Sequence, residues 1–150
     1  MSTRAPRLIF AAVIFILAGW MGGAIITAKG GLAGLPDALM AFESLRAGLL
    51  AAAVGSVLGA PLLRLDKRPA ATAGWVFVSA ATACLTVWLY YAFWPPQWEA
   101  PAYKIAGMVL KGYWGHLAPL ALLSGGLIGW WTTRPAAAPG PEVPEPEVSG

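Results

Sequence analysis

Residues 8–27 read LIFAAVIFILAGWMGGAIIT, a run from Leu8 to Thr27 without a charged side chain. A helix of about 20 residues rises about 30 Å, the thickness of a hydrocarbon core, so this stretch reads as a membrane span. Arg4 and Arg7 precede it, as basic residues also precede a secretory signal. The run is longer than the usual h-region of about 7–15 residues, and no clean small-x-small cleavage site precedes Lys29. A retained span is therefore expected.

Three further segments answer to the same length. The second is clearest over 47–63, although Pro36 is well placed as a first-turn residue and the helix has room to begin there. The third runs over 70–94 without a charge. The fourth is apolar over 112–131 and extends back to about 108, taking Lys111 inside it. The expected fold is thus all-α, with four transmembrane helices over about 8–27, 47–63, 70–94 and 108–131 joined by short loops.

Composition agrees with a bilayer as solvent. The 150 residues are 58% hydrophobic and 11% charged, with mean hydropathy +0.65, too apolar for a water-covered globule. Tryptophan, of which there are eight, concentrates where headgroups meet hydrocarbon. The formal charge of +3 is spread over short loops, with no continuous basic patch of the kind that binds nucleic acid.

Orientation follows from Lys and Arg. Arg4, Arg7, Arg64, Lys67, Arg68 and Arg134 fall on one side, and Lys29, Arg46, Lys104 and Lys111 on the other. By the positive-inside rule both termini are expected in the cytoplasm, with a bacterial inner membrane as the expected location. Residues 135–150 change character abruptly: five prolines between 135 and 146 forbid a helix, and Glu142, Glu145 and Glu147 favour solvent. A disordered cytoplasmic tail is expected.

Helices in lipid associate through close backbone approach and interhelical hydrogen bonds rather than through hidden apolar surface. Gly19 and Gly23 in the first span, Gly55 and Gly59 in the second, and Gly125 and Gly129 in the fourth are spaced by four, and Ala51 extends the second row. These seven are the expected packing positions. In the third span Thr72, Trp75, Ser79, Thr82 and Thr86 recur at three and four, forming one polar stripe. Such hydroxyls are expected to bond their own i−4 carbonyl or a neighbouring helix, the alternative being a lined permeation path.

Aromatic residues crowd the outer ends of the third and fourth spans, an expected interfacial belt. Within it Trp94, Pro95, Pro96, Gln97 and Trp98 form a stiff aromatic hairpin, in which Trp94, Pro95, Pro96 and Trp98 are candidates for docking a partner.

Ionisable groups at membrane depth are few, and therefore informative. Lys111 can snorkel to the outer headgroups. His116 lies about 7.5 Å deeper at 1.5 Å per residue and is expected to satisfy backbone carbonyls freed by Pro119. Glu43 and Arg46, spaced i, i+3, can pair on one helix face. The sharper alternative joins Glu43, Lys111 and His116 across the bundle as a polar, outward-facing site.

Several classes of function lose support. Cys84 is the only cysteine and His116 the only histidine, which excludes a paired-thiol carrier and bis-histidine haem ligation within one chain. No phosphate loop, nucleophile elbow or spaced metal-ligand set is present, and the first and third spans carry no carboxylate for antiport. No catalytic residue, cofactor or metal is expected. The size and four-span layout resemble several unrelated groups, small subunits of tripartite carboxylate transporters among them, but no motif carries residues over. The leading expectation is a non-catalytic accessory or assembly subunit of a larger membrane complex, in contact with other subunits or with copies of itself. A small oligomeric transporter or channel is the alternative.

Overall fold

The computed structural model describes residues 4–28, 31–96 and 99–134, the side chain at 32 excepted. Among these residues there are only helices and turns. The long helices are α1 (Arg4–Thr27), α3 (Phe42–Gly59), α4 (Arg68–Phe93) and α5 (Ala102–Thr132), with a short α2 (Leu35–Leu39) between the first two. Three stretches are long and apolar enough to cross a membrane: Arg4–Thr27, Phe42–Arg64 and Arg68–Phe93. The tail over 135–150 lies outside the described residues.

Prolines set most of the boundaries, because a proline suits a first turn but denies a hydrogen bond further in. Pro36 and Pro69 sit at the first turns of α2 and α4, and Pro101 caps α5. At the other end of α3, Pro61 stands where the chain tightens into a 3-10 turn over Ala60–Arg64. Pro95 follows the last turn of α4, consistent with the aversion of a pre-proline residue to helical geometry.

The observed helices are longer than hydropathy indicates. α3 begins at Phe42 rather than 47, α4 at Arg68 rather than 70, and α5 at Ala102 rather than 108. Hydropathy reports solubility in lipid, whereas backbone hydrogen bonding continues through Glu43, Arg46, Lys104 and Lys111. The start that Pro36 suggests belongs to the separate α2, since Ala41 is extended (φ −70°, ψ 141°) and breaks the run. The indole Nε1 of Trp20 donates to the Leu39 carbonyl at 2.6 Å, and the Ser44 hydroxyl to the Ala38 carbonyl at 2.6 Å, pinning α2 against α1 and α3.

Packing forms two antiparallel pairs, α1 with α3 and α4 with α5, joined through α3 to α4 and α1 to α5. The first pair meets on small residues. A Cβ added to Gly19 would lie 2.6 Å from the Ala51 Cβ, one on Gly23 2.9 Å from the Ala47 Cβ, and one on Gly48 2.8 Å from the Ile16 carbonyl oxygen. The second pair is closer still, since a Cβ on Gly125 or Gly129 would meet the backbone of Val76 or Thr72 at 2.5 and 2.6 Å. Gly55 and Gly59 instead leave room for rings: a Cβ there would overlap Phe15 and Trp75 respectively. Phe10 stacks on Trp131 with centroids 4.2 Å apart, closing α1 on α5.

Polarity runs inside out relative to a water-soluble bundle. Ser44, Ser79, Thr82, Thr86, Ser124 and Thr132 are buried, while Ile9, Leu49, Val57, Phe77 and Leu123 are each more than 60% exposed. Water would strongly disfavour that surface, and hydrocarbon accepts it.

Candidate functional site

The four long helices enclose a cavity of about 100 Å³. α1 contributes Phe15, Gly19, Gly22, Gly23 and Thr27 to its wall, and α3 contributes Ala47 and Ala51, so the glycine face that brings these helices together also lines the void. α5 adds Leu117, Leu120, Ala121 and Ser124. The polar stripe of α4 forms the remaining side, with Ser79, Thr82 and Thr86 followed by Tyr90 and Tyr91. Glu43 lies on the wall and is itself exposed, which places the mouth at the end shared by Thr27, Glu43 and Tyr90.

The stripe departs from the expected hydroxyl bonding. Thr27, Ser124, Thr132 and Thr133 each donate to their own i−4 carbonyl, at 2.6–2.8 Å. Ser79, Thr82 and Thr86 do not: each oxygen is buried without a hydrogen-bond partner, in residues 4%, 2% and 7% exposed. The self-bonding expected of these three is therefore corrected. All three residues border the cavity, but their hydroxyl oxygens are covered by neighbouring atoms and have no accessible surface in it. Trp75 Nε1 is also unpartnered, but its ring is turned toward Gly59 and does not line the cavity.

The ionisable residues separate into two places. Glu43 faces the cavity mouth, within electrostatic reach of the Tyr90 phenol. Lys111 and His116 are exposed on α5 and line no part of the cavity, so the structure does not bring the three together. The Arg46 guanidinium turns to aromatic rings rather than to Glu43. It lies 4.6 Å from the Phe42 ring centroid and 5.2 Å from that of Trp94, a cation–π arrangement. Trp94 thus has an intramolecular neighbour, while Pro95 lies exposed and Pro96 half-buried beside it. Trp98 lies outside the described residues.

His116 makes no hydrogen bond to the Gly115 carbonyl, which Pro119, lacking an N–H, leaves without a backbone donor. Pro119 is inside an unbroken helix, and the imidazole points away from the bundle. Near it on that side are Gly112 and Gly115, both exposed, with no atom within 4 Å of where a Cβ would stand. α5 therefore has two kinds of glycine. Gly125 and Gly129 are filled by α4, whereas Gly107, Gly112, Gly115 and Gly126 are open, and of these Gly112 and Gly115 lie beside Lys111 and His116. Sequence spacing finds the first kind and misses the second, because the open glycines are not spaced by four. Among the described residues no three His, Cys, Asp or Glu side chains assemble into a metal-binding group. Comparison with protein families, curated proteins and solved structures finds no match to the chain.

Proposed function

We propose that this chain is a non-catalytic accessory or assembly subunit of a larger membrane complex, in a bacterial inner membrane. It crosses four times, with α5 as the fourth span and both termini cytoplasmic. At 1.5 Å per residue α5 is about 46 Å long, more than enough to span a core of about 30 Å. The Arg64, Lys67 and Arg68 turn and Arg134 lie at the same end of the bundle, where Arg68 Nε donates to the Thr133 hydroxyl at 3.4 Å. That clustering favours the cytoplasmic assignment of this end.

The observation that carries the reading is the outer face of α5. Leu117 packs over Gly22, which places His116 about five residues, or roughly 7.5 Å, below the end of α1. A lipid-facing histidine beside an exposed lysine is costly at that depth, and the open Gly112 and Gly115 give the backbone no side-chain cover. Small residues with an adjacent polar group are how membrane helices receive another helix. The face is therefore assigned to a helix from a different subunit.

Mild-detergent extraction of the tagged chain, followed by identification of co-purifying proteins, tests this. A stoichiometric membrane partner is expected. Recovery of a homogeneous homo-oligomer alone would instead favour the second reading, a small oligomeric carrier or channel, which draws its support from the internal cavity.

A further inference from the structure

We infer that the turn between α3 and α4 is a binding site for an anionic phospholipid, with the phosphate at Arg64, Lys67 and Arg68 and one acyl chain in the apolar groove between the two helices. The inference is independent of what covers α5, because none of these residues lies on that helix. It holds in whichever leaflet this end of the bundle stands.

Charge at this end is one-sided. The 3-10 turn ends on Arg64 and α4 begins at Arg68, so Arg64, Lys67 and Arg68 lie close together, and all three are exposed. Among the described residues at this end, Asp66 is the only carboxylate. Packing adds another cation, since Arg68 Nε donates to the Thr133 hydroxyl, next to Arg134. The contacts of these two guanidinium groups are uncharged: the Thr133 hydroxyl for Arg68, and for Arg134 the Trp130 ring at 4.9 Å. Neither contact neutralises the positive charge. A guanidinium fork fits two oxygens of a phosphate, and a lysine adds a point charge.

Below the turn the outer surface supplies a seat for a chain. Ala53, Val54, Val57 and Leu58 of α3 and Leu85 of α4 line an open groove of about 300 Å³ with no polar side chain. At about 2.0 Å per residue through the 3-10 turn and 1.5 Å through α3, Leu58 lies about 11 Å and Ala53 about 19 Å from Arg64 along the axis. Half of a hydrocarbon core is about 15 Å, so a chain descending from a phosphate at Arg64 enters the groove within its own leaflet. Trp130, 46% exposed beside Arg134, sets this end at headgroup depth, where tryptophan rings settle.

The cations and the groove together select the ligand. A free phosphate ion would use the cations and gain nothing from the groove. A zwitterionic phospholipid would fill the groove but bring its own cation beside Arg64 and Arg68. An anionic phospholipid answers to both, and each Lys or Arg near a membrane surface strengthens its binding by about 5-fold.

The test is native mass spectrometry of the full chain from micelles doped with equal amounts of dioleoyl phosphatidylglycerol and dioleoyl phosphatidylcholine. A preference for phosphatidylglycerol of about 5-fold or more is expected. The combined variant Arg64→Gln, Lys67→Gln, Arg68→Gln should bring the two lipids to within about 2-fold of each other, and Lys67→Gln alone should remove part of the preference. Lys104→Gln, exposed at the opposite end of α5 from Arg134, should leave it unchanged. Ala53→Trp, at an exposed position in the groove, should weaken the dioleoyl lipid severalfold and spare dihexanoyl phosphatidylglycerol, whose chains are too short to reach it. Thermal unfolding of each variant in the same micelles separates loss of the site from loss of the fold. Equal binding of the two lipids, a preference kept by the folded triple variant, or displacement of the lipid by sodium phosphate at the same concentration would each overturn the assignment. So would a preference that emerges only in Glu142→Gln, Glu145→Gln, Glu147→Gln, which would give this end to the chain's own carboxylates.

Discussion

The ring of Phe15 on α1 lies so close over Gly55 on α3 that a single added carbon at Gly55 would overlap it. Phe15 is 2% exposed and also approaches Trp75 of α4, with ring centroids 6.3 Å apart. One glycine thus sets the position of a ring that three helices share.

Gly55→Leu should consequently lower the recovery of folded protein in detergent, whereas Val57→Leu, at a site 75% exposed, should leave it unchanged. Forcing volume into a packed core costs about 1–3 kcal/mol even for a few atoms, and leucine adds more than that. Size-exclusion recovery after heating measures both variants. Equal tolerance would show that Phe15 is free to move aside.

Adjacent glycines on α5 offer a sharper contrast. Gly125 faces the Val76 backbone at 2.5 Å from an added Cβ, and Gly126 faces open space. Gly125→Ala should destabilise by about 1–3 kcal/mol, because backbone cannot rotate away as a side chain can. Gly126→Ala should be neutral or stabilising by up to about 1 kcal/mol, the helix-propensity gain. Denaturant titration of the two variants in one micelle system checks the order, and a reversed order would contradict the α4–α5 packing.

Both results bear on what sequence alone reveals. The three strongly apolar spans are legible because length and absence of charge suffice for them. α5 is harder, since His116, Pro119 and its glycines dilute the apolar signal, although its hydrogen bonding is continuous over Ala102–Thr132. The stripe of Ser79, Thr82 and Thr86 is visible as a spacing, but not its bonding state: a helical hydroxyl has both its own carbonyl and the neighbouring helix within reach, and only the position of α1 and α5 decides. For the same reason the sequence points His116 toward a kink. Its direction depends on which side of α5 the glycines at 125 and 129 turn to α4: their four-residue spacing marks them as packing positions, but not which helix fills them or that the side carrying His116 stays uncovered.

Orientation is open to direct labelling. In a Cys84→Ala background, Ala100→Cys, exposed between α4 and α5, should react with a membrane-impermeant thiol reagent on intact bacterial cells. Asp66→Cys, exposed in the turn before α4, should react only after the membrane is permeabilised. The opposite pattern would invert the topology.

Replacing the exposed histidine should separate folding from assembly. His116→Leu changes an exposed side chain that makes no intramolecular hydrogen bond, so the isolated chain should keep its stability to within about 0.5 kcal/mol. Recovery of the co-purifying subunit should nonetheless fall, since an apolar side chain cannot replace an imidazole hydrogen bond to a neighbour. Loss of stability in the isolated chain would show that His116 serves the fold itself.

The most direct measurement is photo-crosslinking in the native membrane. A benzophenone amino acid is placed at position 116 on the outer face of α5, and in a second variant at position 57, on the lipid-exposed face of α3. The account predicts a discrete adduct with a different membrane protein from position 116 and only lipid adducts from position 57. Lipid adducts alone from both positions, or an adduct at 116 consisting solely of a second copy of this chain, would contradict the assignment of α5 as the face that joins a larger complex.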